Sequence, residues 1–164
     1  MKKFNTLLLI VLGFFGMGLL VYIKFQKKIL KDTNGRLLKF KKYYQLYNAW
    51  IQNKNLGFSF SDQLLKIHYN KIAIYGNGEI GCRLYEELKG TKVQVAFFID
   101  KIANDIEMMH DENVPVIGYM DIQGNRDIDA IVITNINILD EIKELLASNT
   151  TCDIISIEEL FENF

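Results

Sequence analysis

Three glycines mark the part of this chain that could do chemistry. Residues 71–88 read KIAIYGNGEIGCRLYEEL. A short apolar run leads into Gly76, Gly78 and Gly81 in a G-x-G-x-x-G array, and an amphipathic stretch follows with Ile80, Leu84 and Leu88 on one helical face. Strand, glycines and helix in that order form the context in which the array cradles a phosphate. Gly76 permits a tight turn off the strand, Gly78 leaves room for a pyrophosphate to approach the backbone, and Gly81 lets the helix pack closely on the sheet. The exposed N–H groups and positive end of the helix then attract the anion. Asn77, Glu79 and Ile80 complete the loop. The alternative is that the glycines serve only a tight turn. Glu79 keeps that alternative open, because its charge complements the helix dipole by itself and repels a phosphate unless it points away.

Asp100 follows Gly81 by 19 residues and closes the next apolar run, VQVAFFID. At the end of a second strand its carboxylate can accept from a ribose 2′-hydroxyl. It would repel a 2′-phosphate, which favours an NAD-like ribose over NADP, although Lys101 beside it blunts the preference. Thr134 and Asn135 close the run DAIVIT. They fall on the same rim if the sheet runs 3-2-1-4-5, where they can hydrogen-bond a ribose or substrate. The competing reading is that they cap the helix that follows.

Catalytic candidates are lacking. His68 and His110 have no evident partners in the sequence. Cys82 stands at a helix start, where the dipole can lower a thiol pKa. Its neighbours Ile80 and Leu84 argue for packing instead. Cys82 and Cys152 make neither a disulfide framework nor a zinc site. Glu86-Glu87 and Glu158-Glu159 read as solvated helix faces. No metal ligands and no catalytic residue are assigned, and whether the chain is an enzyme stays open.

The elements that must position the loop follow from periodicity. From Lys71 the chain alternates strand and helix: KIAIY, EIGCRLYEELKG, VQVAFFID, an irregular or helical piece, VPVIG, DAIVIT, ILDEIKELLAS and CDIISIEELFENF. Continuous apolar runs in the strands mean a parallel sheet covered on both faces. The fold class is therefore α/β, a minimal Rossmann-like parallel sheet of about five strands over residues 71–164. Residues 35–70 read as a helical connector. Tyr43 (or Tyr44), Tyr47 and Trp50 lie on one face, Gly57 ends the first helix, and a second opens near Ser61 or Asp62. That aromatic face suits packing better than holding a base.

Residues 1–34 read as a membrane anchor with a basic juxtamembrane segment. From Phe4 to Ile23 there are 20 residues without a charge, and at about 1.5 Å per residue they span a bilayer's hydrocarbon core. The apolar run continues past the small-x-small triplet Gly16-Met17-Gly18, which argues against a cleaved signal peptide. Residues 1–42 carry 10 basic and 1 acidic side chains, and from Tyr43 on there are 9 basic and 19 acidic. The positive-inside bias then puts the C-terminal domain in the cytoplasm, as a single-pass protein of the cell membrane. An acidic domain argues against nucleic acid as a partner.

The segments KIAIYGNGEIGCRLYEEL, VAFFIDK, VPVIG, DAIVIT and IISIEEL, in that order, resemble a family of small Rossmann-like domains in bacterial proteins of polysaccharide and glycan synthesis. Relatives in that group carry labels such as nucleoside-diphosphate-sugar epimerase, and one is the N-terminal domain of sugar acyltransferases. The resemblance covers about Phe40 to Phe164. It implies that Gly76, Gly78 and Gly81 line phosphates, that Asp100 meets a ribose or sugar hydroxyl, and that the ligand is NAD or a nucleotide-sugar such as a UDP-sugar. It also implies a glycan-synthesis protein or a second copy as partner. Three readings follow: a membrane-anchored nucleotide-binding module, a subunit of an NAD-dependent oxidoreductase or epimerase completed by a partner chain, and a structural module with a degenerate site.

Overall fold

The computed structural model describes residues 2–101, 114–124 and 127–162, and the side chains of these except 2–12, 123, 124 and 162. The expected piece after Asp100, including His110, lies outside the described residues. The chain divides into two units, Met1–Lys41 and Lys42–Phe164.

The first unit consists of the amino-terminal part of helix α1 (Lys2–Asn55). Phe14, Phe15, Leu19, Leu20 and Val21 are exposed there. Among the described residues no helix is long and apolar enough to cross a membrane. The side chains of residues 4–12, the first half of the expected span, lie outside those described. The helix runs through Gly35 without a break.

The second unit is an α/β domain. Its strands are β1 (Lys71–Tyr75), β2 (Gln94–Ile99), β3 (Val116–Ile117), β4 (Ala130–Ile133) and β5 (Asp153–Ser156). They form a parallel five-stranded sheet in the order β3-β2-β1-β4-β5. This is the order under which Thr134 and Asn135 fall on the loop's rim. Every strand is joined to the next by a crossover rather than a tight turn, as parallel pairing requires. Ile72 to Tyr75 and all of β4 are buried, so both faces of the central strands are covered.

Alternate residues feed two cores, as the period of a strand requires. Ile72, Ile74, Phe98 and Val132 pack on one face with Trp50 of α1, helix α2 (Phe60–Lys66), helix α3 (Glu79–Leu88) and helix α5 (Glu159–Glu162). Ala73, Tyr75, Ile99, Ile131 and Ile133 pack on the other with helix α4 (Leu139–Ala147) and Ile122 of the 3₁₀ turn Tyr119–Gly124.

The aromatic stretch of α1 is used for packing. Trp50 is buried and meets Phe60 edge-on at 4.7 Å between centroids, with Tyr47 stacked at 6.2 Å. Tyr44 faces outward, 72% exposed, because it lies on the opposite side of the helix from Leu46 and Trp50. The Trp50 indole N–H donates to Glu87 Oε1 at 3.1 Å, and Lys54 pairs with the same oxygen. Glu87 is therefore a half-buried partner of α1, not part of a solvated face, and only Glu86 of that pair keeps the expected exposure. Gly57, at φ +93°, ends this stretch. The second helix opens at Phe60, one or two residues earlier than its sequence suggests, because Ser59 serves as N-cap and its hydroxyl oxygen accepts from Asp62 N–H at 3.3 Å.

Candidate functional site

In a sheet of this order the strand connections diverge between β1 and β4, leaving a crevice at the carboxyl ends. The glycine loop follows β1 at that point. Gly76 adopts φ +107°, a left-handed conformation that L side chains rarely take, and its N–H donates to Ile99 O at 2.9 Å. A methyl group on Gly76 would lie 2.6 Å from Thr134 Oγ1. A methyl on Gly81 would lie 2.0 Å from the Gly76 carbonyl oxygen. These two glycines let the loop close on itself and let α3 sit against the strand end. Gly78 is different: a methyl there would meet nothing within 4 Å. It is the N-cap of α3 and brings no side chain to cap the first turn. Donors left over at such an end are satisfied from outside the helix.

The side chains around the loop divide between the two faces. Glu79 is exposed in the first turn of α3 and lies close enough to Tyr47 of α1 to help raise its phenol pKa, after burial. Ile80 and Gly81 are buried, with Ile80 in the same core as Trp50. On the loop itself, Asp100 reaches back so that a carboxylate oxygen accepts from the Asn77 backbone N–H at 2.9 Å. Asn77 is 3% exposed, and neither its side-chain oxygen nor its nitrogen has a hydrogen-bond partner.

Sequence did not single out Tyr75 or Tyr119. Tyr75 ends β1, and its phenol pKa is raised by burial first, then by the Asp100 carboxylate and by Tyr119, which follows β3. The rim on the β2–β3 side thus gathers two phenols and a carboxylate. The only hint in the sequence was the position of Tyr75 at the end of one strand and of Tyr119 just past another.

Thr134 and Asn135 reach the carboxyl end of β4 as expected. The Thr134 hydroxyl donates to Tyr75 O at 2.9 Å and is buried, so it holds the loop to the strand. Asn135 Oδ1 accepts from Asn137 N–H at 3.4 Å. Neither caps α4, whose N-cap is Ile138 with no side-chain bond, because two turn residues intervene. Lys101 is exposed next to Asp100. Cys82 is buried, and burial raises its thiol pKa, so packing overrides the helix dipole. His68, at φ +67°, lies just before β1, at the other end of the sheet.

That other end holds a cavity of about 650 Å³ lined by Ile128, Asp129, Ser148, Thr150 and Cys152, among others. Its polar groups are engaged within the fold: Asp129 accepts from Asn70 and Lys71 N–H, and Ser148 donates to Leu145 O. Among the described residues no group of His, Cys, Asp and Glu is placed to hold a metal ion.

Residues 68–155 match the family model described as C2185-like, N-terminal. The match takes in the whole glycine loop and the sheet from β1 to Ile155 of β5. No curated protein matches the chain.

Proposed function

The chain belongs to the C2185-like N-terminal family, and we propose that it is a membrane-anchored module that binds NAD or a nucleotide-sugar at the cytoplasmic face. It serves bacterial glycan or envelope polysaccharide synthesis, as the Rossmann-like resemblance suggests, with a protein of that assembly or a second copy as partner. One observation carries the reading. At the carboxyl ends of a 3-2-1-4-5 parallel sheet, the open space before Gly78, the uncapped start of α3 and the Asp100 carboxylate come together. Backbone donors for a phosphate beside an acceptor for a hydroxyl suit a ligand that has both groups. The anchor is supported by the uncharged run from Phe4 to Ile23 and the basic residues that follow it.

A second reading, a structural module with a degenerate site, is favoured by the same Asp100 contact, which occupies a loop donor. Thermal shifts of the full chain in detergent, with NAD, NADP, a UDP-sugar or coenzyme A, decide between the two. A ligand at 100 times its Kd stabilises by about 2.7 kcal/mol, a shift of several degrees. No shift with any of the four would leave the degenerate module. Membrane fractionation with and without residues 1–23 tests the anchor, and a shortened chain that stays with the membrane would refute it.

A further inference from the structure

The Asn77 backbone N–H, one of the donors on which nucleotide binding would draw, already faces an anion, the Asp100 carboxylate at 2.9 Å. The side chain of the same residue is buried with both ends of its carboxamide unpaired. Buried polar groups in folded proteins are nearly always paired. A loop that satisfies an amide N–H with a tethered carboxylate, and leaves a carboxamide with nothing, is arranged for a partner it does not yet hold. Next to it, Gly78 opens onto free space and the first turn of α3 has no cap.

We infer that Asp100 guards the glycine loop. It keeps the Asn77 N–H from bare phosphate and releases it only to a ligand that offers hydroxyl donors in exchange, and that exchange brings the Asn77 carboxamide onto the ligand. A carboxylate on the loop repels a phosphate oxygen at the same donor. A vicinal diol repays its displacement with charge-assisted hydrogen bonds. The selected class is a phosphate ester carrying a free diol, such as a nucleoside diphosphate derivative. Inorganic phosphate and pyrophosphate are rejected. The inference deepens the proposed function and rests on it for the diol ligand, while the exclusion of bare anions stands separately.

Calorimetry on the full chain in detergent tests both halves, with inorganic pyrophosphate and NAD or a UDP-sugar as probes. Asp100→Ala is expected to bind pyrophosphate at least tenfold more tightly than the wild type and the diol ligand at least tenfold more weakly. Should the alanine variant not fold, Asp100→Asn keeps the shape and removes the charge, and the same direction is expected. Equal pyrophosphate binding by wild type and variants overturns the guard. Asn77→Ala is expected to melt at the wild-type temperature or above it and to bind the diol ligand at least tenfold more weakly. A lower melting temperature with unchanged affinity would make Asn77 a packing residue and overturn its part. If no nucleotide binds the wild type but Asp100→Ala captures pyrophosphate, the guard stands and the nucleotide reading falls. If a nucleotide binds and the pyrophosphate difference is missing, the reverse holds.

Discussion

Gly78 and Gly81 sit three residues apart in the same array, and the geometry assigns them opposite consequences. A β-carbon on Gly81 would stand 2.0 Å from the Gly76 carbonyl oxygen, 3.2 Å from its carbonyl carbon and 3.4 Å from Ile74 Cγ2. The first of these is backbone, with no flexible end to swing aside. Gly76 is itself held by its N–H bond to Ile99 O at 2.9 Å, and Thr134 bonds the adjoining Tyr75 carbonyl. Relief requires α3 to move off β1, dragging Ile80 and Leu84 out of the core they share with Ile74. Overpacking of this kind costs about 1–3 kcal/mol and sometimes more. Gly78 has φ −97° and open space around its α-carbon, so alanine fits there, and the reduced freedom of the unfolded chain, up to about 1 kcal/mol, offsets alanine's poorer N-capping, a cost of about the same size. Thermal or urea denaturation of the unliganded full chain should therefore place Gly78→Ala near wild type and Gly81→Ala well below it. Ligand titration should show that Gly78→Val, which fills the space before the loop, loses binding while keeping the fold. Equal stabilities for Gly81→Ala and wild type would refute the close-approach argument. A Gly78→Ala variant as unstable as Gly81→Ala would refute the open space assigned to Gly78.

Three further outcomes follow from single contacts. Thr134→Val keeps the shape and removes the hydroxyl bond to the Tyr75 carbonyl, which still accepts from the Thr134 backbone N–H, so a loss of about 0.5–1.5 kcal/mol is expected. Thr134→Ser should recover most of it in the same melts. Glu87→Gln leaves the Trp50 indole an acceptor but removes the charge that Lys54 shares. A modest loss of about 1 kcal/mol with a small change in tryptophan fluorescence is expected, and an emission shift as large as that of the unfolded protein would refute the packing role. Tyr69 donates to Asp153 Oδ2 at 2.7 Å, and its pKa is pushed up to about 12 by burial first, then by that bond and the carboxylate's charge. The folded state thus holds its proton after the unfolded state, near the ordinary 10, has lost it. The contribution is complete below about pH 10 and disappears as pH rises toward 12, so melting temperatures from pH 8.5 to 12 should fall less steeply in Tyr69→Phe than in wild type.

The parts of this fold that were readable from sequence are those set by local pattern, and the parts that were not depend on residues far apart in the chain. Apolar runs and helical spacing are properties of a dozen neighbouring residues, and they gave the strands, their parallel pairing and the position of the loop after β1. The order 3-2-1-4-5 could be anticipated because crossovers obey few rules. Asp100 could be placed at a strand end by counting, but its bond to Asn77 joins residues 23 positions apart. The Thr134 hydroxyl meets Tyr75 across 59, and Trp50 meets Glu87 across 37. In each case a polar side chain assigned by its neighbours to solvent, a cap or a ligand is claimed by a backbone or side-chain group that tertiary packing delivers. Cys82 shows the same contest in a single group, where a helix start argues for a lowered pKa and burial raises it. Under the nucleotide-binding proposal, ligand chemistry at this loop turns on whether the Asp100 contact outlasts ligand entry. The residue types fix which atoms can compete for the Asn77 N–H, and only the relative affinity of carboxylate and phosphate for that one donor decides the outcome.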